Sequence, residues 1–175
     1  MPPPCFDAAR AAFAYEGASR DLIHAFKYRN KTHLRSPLAL LTMERLSEFM
    51  RSRRPDLILP IPLHRKKLSG RGFNQAVLLG EILAQRLKLP LERRNLRRIR
   101  WTEPQVNLAA HARQTNVKGA FELQDPAQVK GRRVLLVDDV LTSGSTAAEC
   151  SRELKSAGAA DVTVITVATA LGWQG

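Results

Sequence analysis

The stretch Val134-Leu-Leu-Val-Asp138-Asp139-Val-Leu-Thr142-Ser143-Gly144-Ser145-Thr146 decides how this chain folds. Four leading apolar residues, mostly β-branched or leucine, read as a strand of a parallel sheet buried on both faces. Two carboxylates stand at its C-terminal end, and a turn of hydroxyls and one glycine then opens a helix near Ser145. In an open α/β sheet, ligands bind where such strands end. The first N–H groups of the helix and the positive end of its dipole suit a dianionic phosphate. A capping role uses one side chain, whereas this turn offers four hydroxyls and a glycine that permits close backbone approach. The carboxylates of Asp138 and Asp139 have the wrong sign to meet the phosphate. Their expected partners are vicinal hydroxyls of a sugar, a divalent metal, or both, so the stretch reads as a sugar-phosphate cradle. It is not a Walker A loop, because no Gly-Lys-Ser/Thr follows.

Downstream, the pattern predicts a helix over Ala147 to Ala157, a C-cap at Gly158 and a buried strand over Val162 to Val167. Strand, helix and strand in that order form a βαβ unit with a right-handed crossover. Upstream, Gln128 to Arg133 forms the turn that feeds the first of those strands. Farther back, Leu57 to Leu59 of Asp56-Leu-Ile-Leu-Pro60-Ile-Pro62-Leu-His64 reads as a short buried strand, stopped by prolines that cannot donate to a central ladder. A stiff loop through His64, Arg65, Lys66, Lys67, Arg71 and Gly72 should follow, with a helix from Phe73 to Leu87. Basic side chains at a strand's end suit a second anionic group such as a pyrophosphate.

The N-terminal third predicts a strand over Ala11 to Tyr15, a helix capped by Ser19 with Leu22, Ile23 and Phe26 on one face, and a second helix from Leu34 to Met50. Residues Arg93 to Gln105 carry five arginines by Arg100, with Glu92 and Glu103 the only acids near, and Trp101 offers a stacking platform beside them. Pro104 to Thr115 has weak periodicity and is expected to form a mobile loop or loose helix of the kind that serves as a lid.

The chain has 175 residues, enough for one domain with its own core, and 44% are apolar. Twenty-eight Lys and Arg against sixteen Asp and Glu leave a formal charge of +12, which points to polyanionic company. No apolar run approaches membrane-spanning length, and Met1-Pro-Pro-Pro-Cys5 lacks signal-peptide features, so a cytoplasmic location is expected. Cys5 and Cys150 have no metal-ligand spacing, which argues against a zinc site and a disulfide framework.

Residues Val134 to Thr146 resemble the signature with which type I phosphoribosyltransferases bind 5-phosphoribosyl-1-pyrophosphate (PRPP). Two further stretches are similar to the ComF family within that superfamily: Pro60-Ile-Pro-Leu-His64 running into Arg71-Gly-Phe-Asn74-Gln75-Ala, and Arg100, Thr102, Gln105, Leu108, Arg113, Asn116 and Phe121 in order. Tyr15 and Leu22-Ile23 through Lys27-Tyr28 match as well. The resemblance implies an α/β fold of three layers, a mostly parallel twisted sheet flanked by helices, in one domain over residues 1–175 with a mobile basic hood at about 93–118. It implies that Asp138 and Asp139 accept hydrogen bonds from ribose hydroxyls, alone or beside Mg2+ carried by the substrate. It implies further that Thr142, Ser143, Gly144, Ser145 and Thr146 hold the 5′-phosphate. Ile61, Pro62, Leu63, His64 and Arg65 would face the pyrophosphate, and Arg71, Arg100, Gln105 and Arg113 would supply anion contacts. Family members are associated with DNA uptake during competence, so single-stranded DNA and other competence proteins are the implied partners. They commonly begin with a four-cysteine zinc module; this chain has only Cys5 in that region, and no zinc role is carried over.

Overall fold

The computed structural model describes residues 5–29, 31–101 and 117–170. Four parallel strands form the main sheet: β1 (Ala8–Ala14), β2 (Leu57–Pro60), β5 (Arg133–Leu141) and β6 (Asp161–Thr169), in the order β1-β6-β5-β2. A separate antiparallel pair joins β3 (Leu96–Arg98) to β4 (Phe121–Leu123). The helices are α1 (Gly17–Tyr28), α2 (Arg35–Arg45), α3 (Ser47–Arg53), α4 (Arg65–Arg71), α5 (Gln75–Leu87) and α6 (Ser145–Ser156). Short 3-10 turns cover Thr32–Leu34 and Pro126–Gln128.

Alternation along the strands divides the core into two. Leu57, Leu59, Val134, Leu136, Val162 and Val164 face a layer built from α6 and the β3–β4 pair, where Cys150, Leu154, Leu96 and Phe121 meet them. Ile58, Leu135, Val137, Ile165 and Val167 face the opposite layer, against Ile23 and Phe26 of α1, Leu38 of α2, Met50 of α3 and Leu79 and Leu83 of α5. Both faces of the sheet are covered, and for that reason β5 opens on the apolar run Val134 to Val137 and β6 is buried at every position from Val162 to Ala168.

The layering also fixes where a ligand can enter. Adjacent strands β2 and β5 are followed by helices on opposite faces, α5 on one and α6 on the other. Their C-terminal ends therefore open a crevice at a topological switch point. Pro60 lies on an edge strand of the sheet, where its missing N–H costs nothing, and the Ile61 N–H resumes the ladder to the Val137 carbonyl at 2.9 Å. On the outer side of β2, Ile58 exchanges backbone bonds with Pro90 and Glu92 at 3.0 Å each. Helix α5 approaches this edge closely: a Cβ at Gly80 would stand 3.1 Å from Leu91 Cδ1, so a larger residue there would have to displace that side chain by a few tenths of an ångström.

Several local expectations need correction. The basic segment after His64 is helix α4, and α5 starts at Gln75, not Phe73. The long helix expected over Leu34 to Met50 breaks at Leu46, whose φ of −106° and ψ of 12° leave the helical well. Thr42 Oγ1 donates back to the Leu38 carbonyl at 2.8 Å just before that break, a bond that bends helices. On α2 Leu41 is exposed, while Ala39 and Thr42 are buried. Ser19 is not the cap of α1. Glu16 is, and Ser19 is the third helical residue, accepting the Glu16 N–H at 3.3 Å in a capping box with the residue types reversed. Strand β1 starts three residues before its predicted first residue, and β5 runs on through both aspartates to Leu141. The segment Pro104 to Thr115 lies outside the described residues.

Candidate functional site

Asp138 and Asp139 lie inside a strand, so their side chains leave opposite faces of the sheet. Asp139 follows Leu135 and Val137 toward the layer of α1 and α5. There Lys27 Nζ approaches its Oδ1 at 2.8 Å and Gln75 Nε2 donates to its Oδ2 at 2.9 Å. The two charged side chains are only 17% and 6% exposed, so this is a buried ion pair. Lys27 reaches it from the last turn of α1, anchored by Ile23 and Phe26, and Gln75 from the first residue of α5. Burial disfavours the Lys27 ammonium, but the Asp139 charge and hydrogen bond outweigh it and hold its pKa above the usual value. The Gln75 amide orientation follows from the carboxylate, since only an N–H can face it. Its Oε1 is buried with no hydrogen-bond donor among the described residues. A hydroxyl or water would complete it.

Asp138 faces the other way, toward α6 and β3, and one of its oxygens accepts the Asp139 N–H at 2.8 Å. Desolvation first, then the adjacent Asp139 charge, push its pKa up to about 7, against the pull of Lys27 and Arg98. The Cys150 thiol beneath it is fully buried, and its pKa is raised by that burial and by Asp138.

The turn after β5 ends in Gly144, whose φ of 73° lies in the left-handed region and turns the chain into α6. Ser143 Oγ and Ser145 Oγ are 2.9 Å apart, and Ser145 is buried while Thr142 is exposed. The helix closes its first backbone bond from Ala148 N–H to the Gly144 carbonyl at 2.8 Å, leaving the preceding N–H groups without intrahelical partners.

Across the crevice, Ile61 is buried and its carbonyl accepts Asn74 Nδ2 at 3.0 Å, while Asn74 Oδ1 caps α5 by accepting the Ala76 N–H at 2.9 Å. One asparagine thus ties the turn to the helix. Pro62, Leu63 and His64 are half-buried and Arg65 is exposed. His64 caps α4 by accepting the Lys66 N–H on Nδ1 at 3.2 Å. Partial burial and the charges of Arg98, Lys66 and Arg65 lower its pKa, which favours the neutral ring with its proton on Nε2. The imidazole meets the Trp101 ring edge-on, with centroids 5.1 Å apart, and Lys66 Nζ stands 5.4 Å from the same ring.

Cations accumulate around this crevice. Lys67 is half-buried, and its pKa is lowered by that burial and by Arg98, Arg71 and Lys27. Arg71 stacks over Tyr28 at 5.1 Å. Arg100 is exposed and donates to the Lys118 carbonyl at 2.5 Å. Gln105 and Arg113, the other expected anion contacts, lie outside the described residues. The sequence reading named Lys67 among the basic side chains for a pyrophosphate but missed Lys27, Asn74, Gln75 and Arg98 as residues of the crevice. Lys27, Asn74 and Gln75 stood in stretches quoted for the family resemblance, which was the only signal.

A second concavity of about 1020 Å³ lies beyond the Pro62–Arg65 turn, between α4, the start of α5 and the β3–β4 pair. Arg65, Arg94, Arg97 and Arg98 line it together with apolar Phe73 and Ile99. Among the described residues no helix is long and apolar enough to cross a membrane.

A parallel sheet whose crevice joins a phosphate-type turn to an acid pair defines a phosphoribosyltransferase-like protein. Residues 74–172 match the family described as phosphoribosyl transferase domain. The yeast adenine phosphoribosyltransferase structure, from Saccharomyces cerevisiae, shares the fold at a TM-score of 0.51 and 20% identity, over 83% of this chain and 72% of that one. The chain belongs to the ComF family of type I phosphoribosyltransferase-like proteins. It is 37% identical to DNA utilization protein YhgH of Salmonella typhimurium, over 82% of this chain and 63% of that protein. To Competence protein F of Haemophilus influenzae it is 35% identical, over 82% of this chain and 64% of that protein. The matched part thus spans a little under two thirds of each relative's length.

Proposed function

We propose that this protein binds PRPP in the crevice between β2 and β5 and transfers its ribose-5-phosphate to an acceptor, with release of pyrophosphate. The observation that carries the reading is the convergence, at one switch point, of Asp138, the Thr142–Thr146 turn and the Ile61–Arg65 turn. The 5′-phosphate would take the N–H groups and hydroxyls of Thr142, Ser143, Gly144, Ser145 and Thr146. Ribose hydroxyls would meet the acid pair through Asp138, since Lys27 and Gln75 already hold both oxygens of Asp139. The pyrophosphate would lie toward Ile61, Pro62, Leu63, His64 and Arg65, with Lys67, Arg71 and Arg98 neutralising the charge it gains as it leaves. Arg100, Gln105 and Arg113 would close over it and exclude water.

The donor set fits a metal that travels with its substrate. Among the described residues no three His, Cys, Asp or Glu side chains gather into a metal cluster, and Asp139 is already paired with Lys27. When bound, Mg2+ would supply charge neutralisation on the pyrophosphate oxygens, held mainly by the substrate and at most by Asp138 and Asp139. The chain's own residues position the sugar and screen the leaving group; no side chain is assigned as a general base.

Calorimetric titration with PRPP, with and without Mg2+, tests the reading. Saturable binding is expected, weakened about tenfold or more in Gly144→Val, because a side chain at a positive φ both strains the turn and blocks close approach. Absence of binding at millimolar PRPP, or an unaffected valine variant, would count against it. Pyrophosphate release across a panel of bases and amines then separates turnover from binding.

The arginine-lined concavity favours a second role beside the first, contact with single-stranded DNA. Affinity for oligo-dT should fall steeply with salt, and Arg97→Ala should reduce the log–log slope by about 0.7. DNA binding that is absent or indifferent to salt would remove this role.

A further inference from the structure

Three of the four oxygens of the acid pair already hold a donor before any ligand arrives. Of its four carboxylate oxygens, Asp139 Oδ1 meets Lys27 Nζ, Asp139 Oδ2 meets Gln75 Nε2, and one Asp138 oxygen meets the Asp139 N–H. The three donors come from three different elements, α1, α5 and β5 itself, so the arrangement is built into the packing of the fold. A lysine ammonium 2.8 Å from a carboxylate occupies the place a divalent cation would need and cancels one of the two charges that would attract it.

We propose that Lys27 is the resident counter-ion of the cradle, a positioning residue that holds Asp139 out of metal coordination in the free protein. A divalent cation then enters only with the pyrophosphate substrate, and Asp138 alone turns a carboxylate oxygen toward the sugar. The first half stands on the ion pair; the second rests on the PRPP reading. Gln75 supports the same assignment, because its amide secures the second oxygen of Asp139 from a position that is 4% exposed.

Mn2+ serves as the probe, titrated into the protein without PRPP at a pH above 7 and read from the electron paramagnetic resonance signal of the free ion. The native chain should show no saturable site tighter than about 1 mM, and Lys27→Arg should behave likewise. Lys27→Gln, once circular dichroism shows it folded, should bind Mn2+ about tenfold more tightly or better, since it restores the second negative charge beside the ion. Lys27→Gln/Asp139→Asn should lose that gain. Tight Mn2+ binding by the native chain overturns the proposal, and so does a folded Lys27→Gln chain that gains no site. If the glutamine chain does not fold, Lys27→Met, which keeps the apolar stem and removes the charge, takes its place in the same titration with the same two outcomes. No substrate enters this titration, so a failure to bind PRPP would overturn the functional reading and leave the ion-pair result standing.

Discussion

Asp139→Asn is expected to cost about 3–5 kcal/mol of folding stability, the usual penalty for leaving one member of a buried ion pair without its partner. The stranded charge is the Lys27 ammonium, whose side chain is 17% exposed and which has no other carboxylate within ion-pair distance among the described residues. Urea midpoints, or a melting temperature falling by about 2–4 °C per kcal/mol in a chain of this length, measure the loss. Lys27→Met/Asp139→Asn should recover most of it, because removing both charges also removes the desolvation penalty. A loss below about 1 kcal/mol, or a double variant that simply sums the single ones, would mean the pair is solvated and structurally minor. A drop in turnover on changing Asp139 therefore mixes chemistry with a displaced lysine, and Asp138→Asn is the cleaner probe of sugar contact.

The second large effect concerns pH. Asp138 titrates at about 7 in the folded chain against 3.8 for an unperturbed aspartate, so the folded state holds the extra proton between those values. Stability from this group is consequently greatest at low pH and falls as pH rises from about 4 to about 7, above which the full cost of burying the charge is present. Ligand affinity should move the opposite way, because a ribose hydroxyl donates to the ionised carboxylate and not to the acid O–H. Urea midpoints from about pH 5 to about pH 8 should decline, and PRPP affinity should rise through pH 7. Asp138→Asn should flatten both. A stability slope that survives the substitution would assign the titration to another group.

Residues Val134 to Thr146 carried most of what was legible in the sequence. Continuous apolar strands, the Gly144 turn and the βαβ order are local signals, and the sheet, its switch point and the phosphate-type turn follow from them. The failures share a different cause. Arg65–Arg71 has no apolar periodicity and is capped by a histidine nitrogen, not by one of the usual oxygen caps, so its helix left no trace in the pattern. Strand β3 reads as a basic run because it is only three residues long and exposes Arg97. The pairing of Lys27 with Asp139 spans most of the chain, and nothing near either residue announces it. Reading both aspartates as equivalent also came from the sequence; that their side chains diverge becomes evident only once β5 is seen to continue to Leu141.

The β3–β4 pair has one further consequence. Arg98 opposes Phe121, and the Ile99 N–H donates to the Ala120 carbonyl at 2.9 Å, so the two stretches of chain are clasped to each other. With both ends fixed to each other, doubling the length of what lies between would change the closure entropy by only about 0.6 kcal/mol. An insertion between Trp101 and Val117 is therefore expected to cost the sheet and the sugar-phosphate cradle little stability.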